Sequence, residues 1–216
     1  MDRDTYLARW SAAHGGFDPR ASPWVFGWLK LVYVLASPLA RWRVPADLLT
    51  AASLLTGAAV AATATVGGRW PLLAALLAVL CGLLDGLDGA VASLLDTSSP
   101  WGHVLDSFVD RCTDLLLLGA LWVLGAPPGL CVGAGALTLL QESARATAAA
   151  AGLREVGVLT VWERPSRIIL AAFALLAAGA RPASADLVAT AGAAVATVLA
   201  GVGVAQLLVS IRRRLG

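Results

Sequence analysis

Two groups of aspartates carry the spacing of a working site. Asp85 and Asp88 stand three residues apart, and Asp106, Asp110 and Asp114 recur every four residues after Gly102. Side chains three or four positions apart share one face of an α-helix. The first pair, continued by Gly82, Gly89 and Ala92, therefore makes one acidic stripe, and the second set makes another. The turn TSSPW between them lets the two faces converge. Carboxylates gathered this way repel one another unless a cation joins them, and Arg111, the basic residue among them, cannot neutralise the set. Hard divalent cations such as Mg²⁺ take oxygen ligands and share them with substrate phosphates. A metal centre is thus the economical reading of Asp85, Asp88, Asp106 and Asp110. The alternative is that they are solvated at helix ends in a watery vestibule. That alternative serves better for Asp96, a turn residue, and for Asp114, which either supports the ligands or pairs helices.

The elements that must position these residues lie in a bilayer. The 216-residue chain is 58% hydrophobic and only 14% charged, with a mean hydropathy of +0.77, too apolar for an ordinary soluble domain. Crossing the hydrocarbon core takes about 20 apolar residues, and six segments qualify: 46–66, 71–94, 102–125, 128–150, 164–180 and 184–210. The expected fold is an all-α integral membrane protein of six transmembrane helices. An N-terminal interfacial amphipathic helix precedes them at 22–43, where Lys30, Arg41, Arg43 and Pro38 interrupt a Trp- and Leu-rich run. Residues 1–43 then form a cytoplasmic N-terminal segment, 44–211 the membrane domain and 212–216 a basic tail.

With six spans, Arg3, Arg9, Arg20, Lys30, Arg41, Arg43, Arg145, Arg154, Arg164, Arg167 and Arg212 to Arg214 share one side, and only Arg69 and Arg181 lie on the other. The positive-inside rule places both termini in the cytoplasm. Trp42, Trp70, Trp101, Trp122 and Trp162 fall near span ends, as interfacial anchors do. Cys81, Cys112 and Cys131 are odd in number and make no complete disulfide framework. No signal peptide is read at the N-terminus, which looks like a retained polar segment. A net charge of +2 gives no argument for nucleic acid. A carboxylate at the bilayer centre costs about 2.5–3.5 kcal/mol on insertion scales, so aligned intramembrane aspartates call for a function. An ion carrier with an acidic site is one such function from another class.

Residues 85–110, DGLDGAVASLLDTSSPWGHVLDSFVD, resemble the signature of the CDP-alcohol phosphotransferase family, D-x2-D-G-x2-A-R-x8-G-x3-D-x3-D. Asp85, Asp88, Gly89, Ala92, Gly102, Asp106 and Asp110 all match in type and spacing, which an ion carrier does not explain. The resemblance extends over most of the chain, through the six-span layout, the preceding interfacial helix and the cytoplasmic side of the site. Ser93 departs from it, standing where the signature has Arg. That removes a cation able to make charge-assisted hydrogen bonds to a pyrophosphate. It also motivates the alternative of a catalytically degenerate member serving as a lipid-binding subunit.

The resemblance implies a CDP-linked donor, typically CDP-diacylglycerol, whose pyrophosphate bridges two Mg²⁺ or Mn²⁺ ions. An acceptor hydroxyl attacks the lipid-side phosphorus and CMP leaves. It implies Asp85, Asp88 and Asp106 as metal ligands and Asp110 as both ligand and general base. Asp88, Gly89, Ala92, Ser93 and Gly102 would line the donor site, with helix packing as the competing account of the small residues. His103, beside Gly102, either touches the site or is an interfacial polar residue. Acceptor choice is assigned to the polar stretch 141–167, which holds Gln141, Glu142, Arg154, Glu155 and Glu163. There Arg145, Arg164 and Arg167 resemble the arrangement of members using inositol phosphate or glycerol phosphate. Positive-inside charge is the other account of those arginines. The small-residue face of the last span permits a homodimer.

Overall fold

The structure, a computed structural model, describes residues 1–13, 16–153 and 159–215. Arg154 and Glu155 lie outside the described residues. Among these residues every regular element is helical: α1 (Arg3–Ala13), α2 (Pro23–Arg41), α3 (Ala46–Thr65), α4 (Pro71–Leu95), α5 (Pro100–Val123), α6 (Pro128–Ala150), α7 (Arg164–Ala180) and α8 (Ala185–Leu215), with 3₁₀ turns at Pro19–Ala21 and Pro182–Ser184.

The punctuation follows local chemistry. Pro23, Pro71, Pro100 and Pro128 each open a helix, where a missing N–H costs nothing and the fixed φ is already helical. Ser22 caps α2 by accepting from Val25 N, and Ser99 caps α5 by accepting from Gly102 N at 2.9 Å. At the other end, Arg43, Asp96, Gly125 and Gly152 have φ of 53°, 58°, 111° and 98°. Each residue after them bonds five positions back, as Thr97 N does to Ala92 O at 3.0 Å. This is the Schellman closure of a helix.

Helices α3 to α8 fall on the six segments expected from sequence, but only some are apolar throughout. By length and composition, Pro23–Arg41, Ala46–Thr65, Pro71–Leu95 and Pro182–Arg214 are able to cross a membrane. Asp106, Asp110, Arg111 and Asp114 dilute α5, and α7 has only 17 residues. The segment expected at the interface is therefore, as α2, apolar and long enough to span. The N-terminal polar segment is itself a helix, α1, started by Asp2 Oδ1 accepting from Thr5 N at 2.8 Å.

The chain divides into two compact units. One comprises Met1–Leu54 and Cys81–Asp110, the other Leu55–Leu80 and Arg111–Gly216. In the first, Tyr6 and Leu7 of α1 pack with Leu29, Val32 and Ala36 of α2, Leu49 of α3, and Leu87, Ala90 and Val91 of α4. In the second, alanines let helices approach closely. Ala74, Ala75 and Ala78 meet Val60, Leu117, Ala120, Ala171 and Leu175, and Ala134, Ala196 and Ala200 meet Trp162. A Cβ on Gly179 of α7 would stand 2.6 Å from Leu72 N of α4, so only glycine fits there. The outer surfaces are apolar: Leu55, Leu76, Phe173, Leu187 and Val198 are each more than 60% exposed, which suits lipid as the solvent.

Trp42, Trp70, Trp101 and Trp122 are exposed, as anchors require, but Trp162 corrects the sequence expectation. It is 2% exposed, and its indole Nε1–H donates to Thr138 Oγ1 at 2.8 Å. With that donor satisfied internally, the ring is core rather than membrane belt.

Candidate metal centre and donor site

The acidic stripes meet within the first unit. Asp85 of α4 and Asp106 and Asp110 of α5 each offer a carboxylate oxygen within 4.8 Å of the others, and all three residues are half-buried. The i, i+4 spacing on α5 stacks two of them on successive turns, and α4 brings the third. An all-oxygen, all-carboxylate donor set of this size suits a hard divalent cation such as Mg²⁺ or Mn²⁺ and does not suit a thiolate- or imidazole-seeking ion.

Asp88 stands beside this trio rather than in it. It is 5% exposed; Oδ2 accepts from Thr50 Oγ1 at 2.6 Å and Oδ1 from Gly89 N at 2.6 Å. Thr50, 4% exposed, lies on α3. Sequence reasoning missed it, since a Thr in an apolar helix usually bonds its own backbone; here that alternative, Ala46 O, is farther at 3.2 Å. Three residues on, on the same face of α3, Ser53 Oγ bonds Cys81 O at 3.3 Å. Polar groups at i and i+3 were the available signal.

The small residues differ in their surroundings. A Cβ on Gly89 would meet nothing within 4 Å, whereas one on Gly102 would meet Ser99 Oγ at 3.2 Å and Asp47 Oδ1 at 3.8 Å. Helix packing therefore does not account for Gly89, while Gly102 is fitted beneath the cap of α5. Ala92 and Ser93 are half-buried, Gly89 and His103 exposed. Asp96 is an exposed turn residue, and it also pairs with Arg9 of α1 at 3.1 Å. A non-glycine residue at positive φ carries a backbone cost of about 1 kcal/mol, which the Arg9 contact helps offset.

The residues assigned to the acceptor gather in the second unit, in a network of ion pairs. Arg167 Nη1 meets Asp114 Oδ2 at 2.7 Å and Nη2 meets Glu142 Oε1 at 2.7 Å; Nη2 also donates to Trp162 O at 3.0 Å. Arg164 donates to Thr113 Oγ1 at 3.1 Å and lies 3.7 Å from Asp114. Arg145 pairs with Glu163 at 2.7 Å, and Arg111 with Glu142 at 3.0 Å. Asp114 thus pairs α5 with α7, one of the two roles its position suggested. Burial pushes the Glu163 carboxyl up, but hydrogen bonds from Thr160 and the Arg145 guanidinium outweigh it and hold the group below its usual range. Arg111, Arg145, Arg164 and Arg167 face Asp114, Glu142 and Glu163, and at the centre of the network Arg167 is 6% and Asp114 4% exposed.

The chain is 33% identical over 175 residues to the archaetidylinositol phosphate synthase of Aeropyrum pernix, covering 81% of this chain and 77% of that protein. Its fold is that of a Mycobacterium tuberculosis phosphatidylinositol phosphate synthase. The crystal structure of that enzyme with CDP-DAG bound aligns with a TM-score of 0.68 at 23% identity, covering 84% of this chain and 94% of that one. Its complex with manganese and citrate aligns at 0.69 and 22%, covering 83% and 88%. The family model for CDP-alcohol phosphatidyltransferase matches residues 43–211, and with that span and these aspartates the chain belongs to the CDP-alcohol phosphatidyltransferase family, multi-pass membrane transferases of phospholipid biosynthesis.

Proposed function

We propose that this enzyme transfers a phosphatidyl group from CDP-diacylglycerol to a hydroxyl of a phosphorylated polyol, inositol phosphate before glycerol phosphate, and releases CMP. The observation that carries the reading is the convergence of Asp85, Asp106 and Asp110 to within 4.8 Å. Two Mg²⁺ or Mn²⁺ ions held there, with Asp88 as a further ligand, would neutralise phosphoryl charge and stabilise the departing CMP. Asp110 accepts the proton of the acceptor hydroxyl as its oxygen bonds to the lipid-side phosphorus; the bond from that phosphorus to the CMP oxygen breaks. Gly89, Ala92, Ser93 and Gly102 keep the wall of the donor site low, so that backbone rather than side chain faces the nucleotide.

Acceptor recognition falls to Arg145, Arg164 and Arg167. Their planar guanidinium groups match the geometry of a phosphate. A relative named for inositol phosphate chemistry supports that choice over a neutral alcohol. The topology proposed with it has six spans, α3 to α8, with α2 at the interface. Both termini and the site then lie at the cytoplasmic face, and small-residue faces allow a homodimer.

Purified protein given Mn²⁺ or Mg²⁺, CDP-diacylglycerol and a panel of acceptors (inositol phosphate, glycerol phosphate, inositol, serine) tests this. CMP release with inositol phosphate is the expected outcome; no CMP with any acceptor refutes the transferase reading, and release only with inositol or serine refutes the acceptor assignment.

A further inference from the structure

The signature position after Ala92 holds Ser93 in this chain, yet a guanidinium stands against it. Arg9 Nη1 lies 3.0 Å from Ser93 O and 3.1 Å from Asp96 Oδ1. It comes from α1, an element far away in sequence that neither the spacing of the aspartates nor the signature includes. We propose that Arg9 is a donor-recognition residue: its guanidinium occupies the place of the signature arginine and binds phosphate oxygens of the CDP-linked donor. This assignment rests on the transferase reading above.

Three observations position Arg9 for that role. First, α1 is anchored, because Tyr6 and Leu7 are each 4% exposed in the core of the first unit, and the Tyr6 and Tyr33 rings lie 5.6 Å apart. Arg9, three residues after Tyr6, is held over the end of α4 by that packing rather than by its own flexible stem. Second, the guanidinium has capacity left. It carries five N–H donors, Nη1 alone makes the two contacts given above, and the side chain is 46% exposed. Third, the surface it overlooks is open. Gly89 lies one helical turn before Ser93, and a Cβ there would touch nothing within 4 Å. Asp96 adds a detail: it takes the left-handed conformation usually left to glycine, and its carboxylate meets Arg9.

A purely architectural role is the competing account, since a cation at the C-terminus of α4 complements its exposed carbonyls. Arg9→Gln separates the two: it keeps an N–H for Ser93 O and removes the charge. With full-length protein in detergent micelles, Mn²⁺, CDP-diacylglycerol and inositol phosphate, Arg9→Gln is expected to raise the donor KM about tenfold, the loss of one charge-assisted hydrogen bond, with a smaller change in kcat. Ser93→Arg is expected to bring donor KM in the Arg9→Gln background back towards the native value. A native donor KM in Arg9→Gln, or no rescue by Ser93→Arg, overturns the assignment. Asp96→Asn, which removes the competing carboxylate, should lower donor KM; an unchanged or raised KM overturns it even where Arg9→Gln fails to fold. A native protein that neither binds CDP-diacylglycerol nor releases CMP refutes the transferase reading and this inference together. Native turnover with a silent Arg9→Gln refutes the inference alone.

Discussion

Thr50 Oγ1 donates to Asp88 Oδ2 across 2.6 Å, with both residues buried. A carboxylate this enclosed needs every donor it has. Thr50→Val keeps the shape and removes the hydroxyl, so it should destabilise the protein by about 1–3 kcal/mol and weaken donor binding through the loosened Asp88. Thr50→Ser should stay near wild type on both counts. Thermal unfolding and donor KM measured on the same preparations check this; a stable, fully active Thr50→Val would mean that the bond contributes nothing.

The division of labour among the aspartates predicts distinct kinetic signatures. Asp110→Asn should lower kcat by about 10²–10⁴, the range of a lost general base, while donor binding survives. Asp85→Asn should impair donor binding itself, and Mn²⁺ titration should show a weakened requirement curve. Equal loss of binding in both variants would sink the assignment of the proton to Asp110.

Much of this site was legible because helical spacing is a local code. Asp85, Asp106 and Asp110 are set by i, i+3 and i+4 periods, and their convergence needed only a short turn between two helices. Thr50 and Arg9 were not legible, for a different reason. Their contacts, to Asp88 and Ser93, are made across tertiary distance; the i, i+3 pair Thr50 and Ser53 marks a polar face on α3 without naming what it meets, and nothing near Arg9 does even that. Trp162 was misread because a position near a span end does not say which way the indole turns. The span count suffers from the chemistry itself: Asp106, Asp110, Arg111 and Asp114 are what make α5 interesting, and they are also what lower its hydropathy.

The Glu163 carboxylate predicts a pH dependence of stability. Its folded pKa lies below the ordinary 4.5, because Thr160 and Arg145 bonds outweigh burial. A depressed carboxylate contributes stability that is fully present above the unfolded value and is lost as pH falls through the folded one. Thermal stability should therefore be flat in this respect above about pH 5.5, a unit over the unfolded pKa, and decline on further acidification. In Glu163→Gln the same scan should start lower and fall less steeply. Parallel curves for the two proteins would show that Glu163 is not a linked group.

Two glycines offer the sharpest contrast between packing and ligand approach. At Gly179 an added Cβ would stand 2.6 Å from Leu72 N, a backbone atom. Since no flexible side chain can yield there, the helices must move, and Gly179→Ala should cost about 1–3 kcal/mol as an overpacked site. At Gly89 the same Cβ would meet nothing within 4 Å, and replacing a mid-helix glycine by alanine favours the helix by up to about 1 kcal/mol. If the protein alone set the requirement, Gly89→Ala would be neutral or stabilising and fully active. If the nucleotide of the donor approaches the backbone there, Gly89→Ala should be at least as stable as wild type yet raise the donor KM severalfold. Thermal unfolding read beside donor KM for both variants distinguishes the cases, and a fully active Gly89→Ala would remove that glycine from the donor site.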